Sequence, residues 1–280
     1  MVTDLATKDQ IGSFSSRLRG RAERCRSWLC VGLDPDPAKL PPSVPATAPG
    51  ITDFCRNTIE ATAESVACFK INFAFFEALG RDGWAALEDV RGAIPATLPV
   101  IADAKRGDIA NSAAAYADAI LSHLDFDAVT VSPYLGWDSL RPFLSHKGKG
   151  VFVLCRTSNP GSADLQELHV GGEPLFLRVA REALALETSA DLGLVVGATQ
   201  PAALRAVREL GEDVMLLMPG VGAQGASVRE AIDAGGNASG RNALVSVSRQ
   251  VIFASSSTDY PLAAARAARS LAAQTVETIQ

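Results

Sequence analysis

The chain has 280 residues, of which 48% are hydrophobic and 20% charged, as in an ordinary globular protein. One α/β domain can occupy about 250 residues, so a single domain over residues 1–280 is the simplest expectation. The formal net charge is −5, with acidic and basic residues interspersed, which argues against nucleic acid or an anionic membrane as the main partner. An anionic small molecule would need a local cluster of positive charge.

The N-terminal segment and the cysteines indicate the cellular compartment. Residues 1–27 carry charges throughout and lack the apolar core of a secretory signal. No stretch approaches the ~18 uncharged apolar residues of a membrane-spanning helix. The five cysteines include no CxxC pair, which predicts buried free thiols in a reducing compartment. The three histidines lack metal-ligand spacing, so we expect a cytoplasmic protein without a metal site.

Short apolar or β-branched runs recur along the chain, each ending in polar residues, glycine or proline. They cover residues 28–33, 66–71, 98–102, 128–131, 151–155, 192–196, 214–218 and 244–247. Such runs are typical of strands buried on both faces of a parallel sheet. Alanine-rich segments with helical spacing lie between or after them, at 110–124, 175–186, 201–210, 227–234 and 261–278.

Eight strands alternating with helices predict an α/β fold, a closed (β/α)8 TIM barrel. A segment near residues 8–26 is expected to form a helix that closes the bottom of the barrel. A doubly wound open sheet is the alternative architecture. It would favour a GxGxxG turn after the first strand, where this chain has Gly32, Leu33, Asp34 and Pro35.

Charged residues appear where the first three predicted strands end. Asp34 follows the first strand, Lys70 lies in the second near its end, and Asp103 and Lys105 follow the third, with Asp108 shortly after. Residues 103 and 105 are two apart and therefore share one face of the chain. Because buried charges are costly unless paired, the pattern predicts an ammonium held between carboxylates at the mouth of the barrel. A purely structural network of salt bridges is the alternative.

The negative charges expected beside Lys105 distinguish two kinds of lysine chemistry. Carboxylates on either side of Lys105 favour its charged ammonium form. An ammonium suits a lysine that stabilises a carbanion or donates a proton. It disfavours a lysine that forms a Schiff base, because that lysine must be neutral to attack.

A second cluster predicts a phosphate site. The segment PGVGAQG (219–225) follows the seventh strand, and Arg249 follows the eighth. Loops after strands seven and eight commonly bind phosphate in TIM barrels. Glycines expose backbone N–H groups to an anion, and Gln224 and Arg249 can donate to its oxygens. The glycine-rich segment alone is equally compatible with an ordinary turn.

Taken together, these residues resemble orotidine 5′-phosphate decarboxylases, in the longer bacterial form of that family. The matching stretches are CVGLDPD (30–36), CFKINFAFFE (68–77), IADAKRGDIANS (101–112), VTVSPYLG (129–136), VLCRTSNPGS (153–162), MPGVGAQG (218–225) and VSRQVIFAS (247–255). They occur in the expected order and span nearly the whole chain. Ser248, where the family's short form has glycine, and Met218, where threonine is frequent, depart from the pattern on the phosphate side.

The resemblance implies roles for individual residues. The catalytic Lys-Asp-Lys-Asp array would consist of Lys70, Asp103, Lys105 and Asp108. The implied substrate-binding residues are Asp34 and Lys70 at the ribose, Ser158 or else Thr157 at the pyrimidine, and Gln224 and Arg249 at the 5′-phosphate. Asp108, Ile109 and Ser112 would cross into the neighbouring subunit of a homodimer with shared active sites.

The activity implied by the resemblance is decarboxylation of orotidine 5′-phosphate to UMP and CO2 in de novo pyrimidine biosynthesis. It would need no cofactor and would pass through a C6 carbanion stabilised by lysine. A Mg²⁺-dependent sugar-phosphate lyase of the same superfamily is an alternative. Such lyases share the DxKxxD run but have an acidic metal ligand where this chain has Lys70. A Schiff-base aldolase and a non-catalytic nucleotide-binding barrel are further alternatives.

Overall fold

A computed structural model describes residues 12–222 and 225–276 of the chain. Eight parallel strands close into a barrel within these residues, in the hydrogen-bonded order β1-β8-β7-β6-β5-β4-β3-β2. The strands are β1 (Leu29–Leu33), β2 (Cys68–Asn72), β3 (Val100–Arg106), β4 (Ala128–Val131), β5 (Gly150–Arg156), β6 (Asp191–Val196), β7 (Met215–Pro219) and β8 (Ala243–Val247). The predicted (β/α)8 TIM barrel is confirmed.

Helices cover the outside of the barrel and close its lower end. They are α1 (Phe14–Cys25), α2 (Ala48–Thr62), α3 (Phe73–Glu77), α4 (Arg81–Ala93), α5 (Ala110–Ala117), α6 (Arg141–Leu144), α7 (Ala163–Gln166), α8 (Leu175–Leu184), α9 (Pro201–Arg208), α10 (Val228–Gly235), α11 (Arg249–Ile252) and α12 (Tyr260–Gln274). A π-helical turn, Asp118–His123, follows α5 and ends the segment predicted as one helix. None of the helices in the two described ranges is long and apolar enough to span a membrane.

Helix α1 closes the amino-terminal end of the barrel. Phe14, Leu18 and Ala22 are spaced by four residues, lie on one face and are buried against the barrel interior. The ring of Phe14 packs edge-on against that of Phe152, with centroids 5.9 Å apart. A Cβ atom on Gly150 would lie 2.5 Å from the Phe14 ring, so the first residue of β5 must be small. The predicted closing helix is confirmed over Phe14–Cys25, and residues 8–11 lie outside the described residues.

Strand β3 is longer than its apolar run predicts. The run ends at residue 102, but the strand continues to Arg106 and includes Asp103 and Lys105. Burial decreases along the strand, from three buried residues at its start to half-exposed and exposed ones at its end. The charged residues therefore continue a strand that begins in the core and ends at the open mouth of the barrel.

The packing of α1 can be tested with Gly150→Ala. The added methyl group would meet the Phe14 ring, so we expect the free energy of unfolding to fall by about 1–3 kcal/mol. Urea denaturation measures this change. Gly92→Ala in α4 is the control, since a Cβ atom there meets nothing within 4 Å. A Gly150→Ala protein as stable as the control would contradict the described packing.

Candidate active site

An alternating chain of charges crosses the carboxyl ends of β1, β2 and β3. The ammonium of Lys70, a residue only 5% exposed, lies 2.9 Å from Asp103 Oδ2 and 3.7 Å from Asp34 Oδ1. The ammonium of Lys105 lies 2.6 Å from the other oxygen of Asp103, Oδ1. The predicted assembly of these residues at the mouth is therefore present in the single chain, in the order Asp34, Lys70, Asp103, Lys105.

The pairing fixes the protonation states of the two central groups. Burial lowers the pKa of Lys70, but the attraction of Asp34 and Asp103 outweighs it and holds that pKa above its ordinary value. Burial raises the pKa of Asp103, but Lys70 and Lys105 outweigh it and hold that pKa below its ordinary value. Around neutral pH the centre is therefore an ammonium paired with a carboxylate.

Lys105 is held by its backbone as well as by its ammonium. Its φ is 45°, a left-handed conformation that costs a residue other than glycine about 1–2 kcal/mol. Its N–H donates to Thr130 Oγ1 at 3.0 Å, and Thr130 Oγ1 lies 3.0 Å from Asp103 Oδ1. The side chain of Lys105 is nevertheless 51% exposed, so its ammonium faces the open mouth where a substrate can reach it.

Asp108 is not brought to the other three charges within one chain. It lies two residues after the end of β3, and its Oδ1 accepts the N–H of Ile109 at 2.8 Å. In the described part of the chain it forms no ion pair with Lys70 or Lys105. Ile109 is 58% exposed, and Ser112 in the first turn of α5 is exposed as well. Two of the three residues predicted to serve a second subunit, Ile109 and Ser112, are thus exposed, whereas Asp108 is partly buried.

Four exposed apolar side chains lie on α5 and on the loops after β3 and β4, and we call them the rim patch: Ile109, Tyr116, Tyr134 and Leu135. Ile109 lies in the loop after β3, Tyr116 lies in α5, and the other two lie in the loop after β4. Tyr134 is 82% exposed, a large fraction for an aromatic residue. Since β3 and β4 are neighbours, the two loops leave the barrel side by side.

The loop after β7 lies against the segment that follows β8. Gly220 and Gly222 have φ of 97° and 151°, a backbone conformation open to glycine but strained for other residues. A Cβ atom on Gly222 would lie 3.6 Å from Gln250 Oε1, at the start of α11. Arg249 begins that helix, is exposed and forms no ion pair with any described residue. Gln224 lies outside the described residues.

Ser158 lies two residues after the end of β5, next to the loop after β7. A Cβ atom on Gly220 would lie 3.2 Å from Ser158 Cβ. The neighbouring Thr157 hydroxyl is engaged within its own loop, 2.7 Å from Asn159 Oδ1 and 3.0 Å from Gln166 Nε2. The Ser158 hydroxyl has no hydrogen-bond partner among residues 12–222 and 225–276. Of the two candidates, Ser158 has the hydroxyl that is free to bind a ligand.

Two polar groups near the mouth, Arg156 and Ser248, were assigned no role from the sequence. The guanidinium of Arg156, at the end of β5, is buried and donates to Glu167 Oε1 at 2.6 Å and to the hydroxyl of Ser162. Ser248 Oγ is buried and unpartnered within the described ranges. A Cβ atom on Gly32 would lie 2.9 Å from Ser248 Cβ and 3.4 Å from Asp34 Oδ2. Nothing in the sequence marked Arg156, a single charged residue after an apolar run, as a buried group. Ser248 was recognisable in the sequence, because it departs from the family's pattern.

Known proteins are similar to this chain in both sequence and fold. The sequence profile of the "Orotidine 5'-phosphate decarboxylase / HUMPS family" matches residues 27–267. A relative from Herpetosiphon aurantiacus, named orotidine 5′-phosphate decarboxylase, is 46% identical over 91% of this chain and 95% of its own length. A relative of the same name from Thermomicrobium roseum is 47% identical over 92% of each chain.

Solved structures agree with the sequence comparisons. The structure of Leishmania donovani OMP decarboxylase has a TM-score of 0.82 at 44% identity and covers 94% of this chain and 99% of its own. The structure of Leishmania donovani UMP synthase has a TM-score of 0.84 at 45% identity, but this chain spans only 57% of its length. The protein described here therefore belongs to the orotidine 5′-phosphate decarboxylase / HUMPS family.

Proposed function

We propose that this chain is an orotidine 5′-phosphate decarboxylase, which converts orotidine 5′-phosphate to UMP and CO2 in pyrimidine biosynthesis. The main observation that supports the proposal is the row of alternating negative and positive charges at the mouth of the barrel, formed by Asp34, Lys70, Asp103 and Lys105. It occurs in a protein whose relatives of that name are 46% identical over 91% of the chain. The ammonium of Lys105 is the group offered to the substrate.

The chemistry requires a positive charge beside C6 of the pyrimidine. When the bond from C6 to the carboxylate breaks, its electron pair stays on C6 in the plane of the ring, where the π system cannot absorb it. A fixed ammonium stabilises such a charge without reorganisation during the reaction. Lys105 supplies that ammonium and then gives a proton to C6, which forms the C–H bond of UMP. Its neutral amine regains a proton from solvent.

The carboxylates hold the lysine in place. Asp103, 2.6 Å from the Lys105 ammonium, orients it, and Asp108 does so from a second subunit. Both carboxylates also crowd the departing carboxylate of the substrate. Ground-state destabilisation of this kind is contested as a source of rate, so we assign the larger contribution to the ammonium.

The remaining polar groups bind the rest of the substrate. Asp34 and Lys70 contact the ribose, Ser158 contacts the pyrimidine, and Gln224 and Arg249 hold the 5′-phosphate. Within the described residues the hydroxyl of Ser158 has no hydrogen-bond partner and the exposed guanidinium of Arg249 forms no ion pair, and both observations support these roles. Binding energy gained at the phosphate helps to close the loop after β7 over the ring.

The active unit is a homodimer in which the segment from Asp108 to Ser112 completes the neighbour's site. Two observations support this arrangement. Asp108 has no ion-pair partner within the described part of its own chain, and the rim patch exposes four apolar side chains on α5 and on the loops after β3 and β4. Exposed apolar side chains on neighbouring elements commonly mark a protein interface. The free and mostly buried cysteines support the cytoplasmic location.

Turnover of orotidine 5′-phosphate, followed by ultraviolet absorbance in the presence of EDTA, tests the function. The unaltered chain should convert the substrate, because no step requires a metal ion. Lys105→Ala should remain folded by circular dichroism and lose on the order of 1,000-fold or more in kcat, since it removes both the charge and the proton donor.

Lys147→Ala is the matched control, because Lys147 is an exposed lysine in the turn after α6. Its kcat should equal that of the unaltered chain. Near-normal turnover by Lys105→Ala would remove this lysine from the mechanism. Activity that disappears with EDTA and returns with Mg²⁺ would favour the metal-dependent lyase instead.

Arg249→Ala tests the phosphate site. Loss of the guanidinium removes a charge-assisted contact to the phosphate, so kcat/KM should fall on the order of 100-fold, mainly through KM. Arg229→Ala is the control, since Arg229 is an exposed arginine on α10. Steady-state kinetics with both variants gives the comparison. An unchanged KM for Arg249→Ala would mean that the phosphate binds elsewhere.

Subunit mixing tests the shared site. Lys105→Ala and Asp108→Asn should each be nearly inactive alone, but a hybrid dimer has one site with both native residues. Co-expression of the two variants should restore roughly a quarter of the unaltered activity, since half of randomly formed dimers are hybrids with one intact site of two. Activity no greater than the mean of the separate variants would contradict sharing.

A further inference from the structure

The contact between β3 and β4 is irregular beside Lys105. Ala102 pairs with Val129, and the next pair joins Arg106 with Val131. Three residues of β3, from Asp103 to Lys105, therefore lie opposite the single residue Thr130 of β4. Such a bulge bends a strand and redirects its side chains, and bulges are frequent next to active sites. Thr130 fills the gap and is 1% exposed.

The direction of each hydrogen bond around Thr130 follows from the groups involved. The backbone N–H of Lys105 can only donate, so Thr130 Oγ1 accepts it at 3.0 Å. The single proton of the hydroxyl then goes to Asp103 Oδ1 at 3.0 Å, because an ionised carboxylate can only accept. The same Oδ1 accepts the Lys105 ammonium at 2.6 Å. The result is a closed ring that joins the backbone of Lys105 to its own ammonium.

The chain on either side of the bulge is fixed by other contacts. Asp103 Oδ2 is held by Lys70 at 2.9 Å. On the other side, the guanidinium of Arg106 pairs with Glu77 and lies over the ring of Tyr116 at 5.1 Å. Between these fixed points lie the left-handed backbone of Lys105 and the second carboxylate oxygen of Asp103, Oδ1. The Thr130 hydroxyl restrains both.

We propose that Thr130 is a positioning residue for the decarboxylation, a role that rests on the function proposed above. Its hydroxyl fixes the backbone of Lys105 and the carboxylate of Asp103 together, so the ammonium is in place before the substrate binds. A lysine on a long flexible side chain would otherwise sample many positions. Displacement of a catalytic group by about 1 Å can cost on the order of 100-fold in rate.

Thr130→Val tests this role, because valine keeps the branched shape but cannot accept or donate a hydrogen bond. We expect kcat to fall by about 10- to 100-fold, while KM and inhibition by UMP change by less than about threefold. Thr130→Ser restores the hydroxyl and should return kcat to within about threefold of the unaltered value. Thr58→Val is the control, since the equally buried Thr58 hydroxyl donates to Phe54 O at 2.8 Å inside α2.

The control separates positioning from folding. Thr58→Val should lower the thermal midpoint without changing kcat. A Thr130→Val protein with unaltered kcat, or a Thr130→Ser protein as slow as Thr130→Val, would overturn the role of Thr130 while leaving the proposed function intact. Failure of the unaltered chain to decarboxylate orotidine 5′-phosphate would overturn both.

A second variant covers the case in which Thr130→Val does not fold. Thr130→Cys preserves the size of the side chain but replaces the hydroxyl with a weak donor and weak acceptor. Its kcat should lie between those of the serine and valine variants, and below that of the unaltered chain by about threefold or more. A kcat equal to that of the unaltered chain would overturn the proposal.

Discussion

The carboxylate of Asp103 accepts two ammonium groups and one hydroxyl at the point where the interior of the barrel opens to solvent. Lys70 is buried and depends on this carboxylate and on Asp34 to remain charged at low cost. Removing one partner from a buried ion pair typically costs about 3–5 kcal/mol, because the other charge is left uncompensated. Asp103 therefore serves the fold and the site at once, since it neutralises the buried lysine and orients the exposed one.

The barrel makes this arrangement possible by placing neighbouring strands in register. Lys70 of β2 pairs with Gly32 of β1 and Ile101 of β3, so the charged residues that follow on each strand meet at one edge. Side chains below them fill the interior, and α1 closes the opposite end. The site is thus supported by rigid strands instead of loops, which favours a fixed position for each charge.

Sequence patterns predicted the barrel because each strand is apolar on nearly every position and is followed by a helical segment. They also predicted the meeting of Lys70, Asp103 and Lys105, since charges at the ends of parallel strands share one edge of the barrel. The end of β3 was placed too early, because the apolar pattern stops at residue 102 while backbone pairing continues to Arg106.

Other features depend on contacts between distant segments, which one sequence does not record. Thr130 is an ordinary residue for a β-strand, and its role becomes visible only through the bulge opposite it. The choice between Thr157 and Ser158 depends on the position of Gln166, nine residues away. The expected partner of Asp108 belongs to a second subunit, which the sequence of one chain does not reveal.

A crystal structure of the dimer with UMP bound tests the central claim most directly. We expect the Lys105 ammonium within about 3.5 Å of C6, still bonded to Asp103 and now also to Asp108 of the partner subunit. The C6 position would then lie at the open end of the alternating charges. An ammonium turned away from the pyrimidine, or a nucleotide bound with C6 remote from Lys105, would contradict the account.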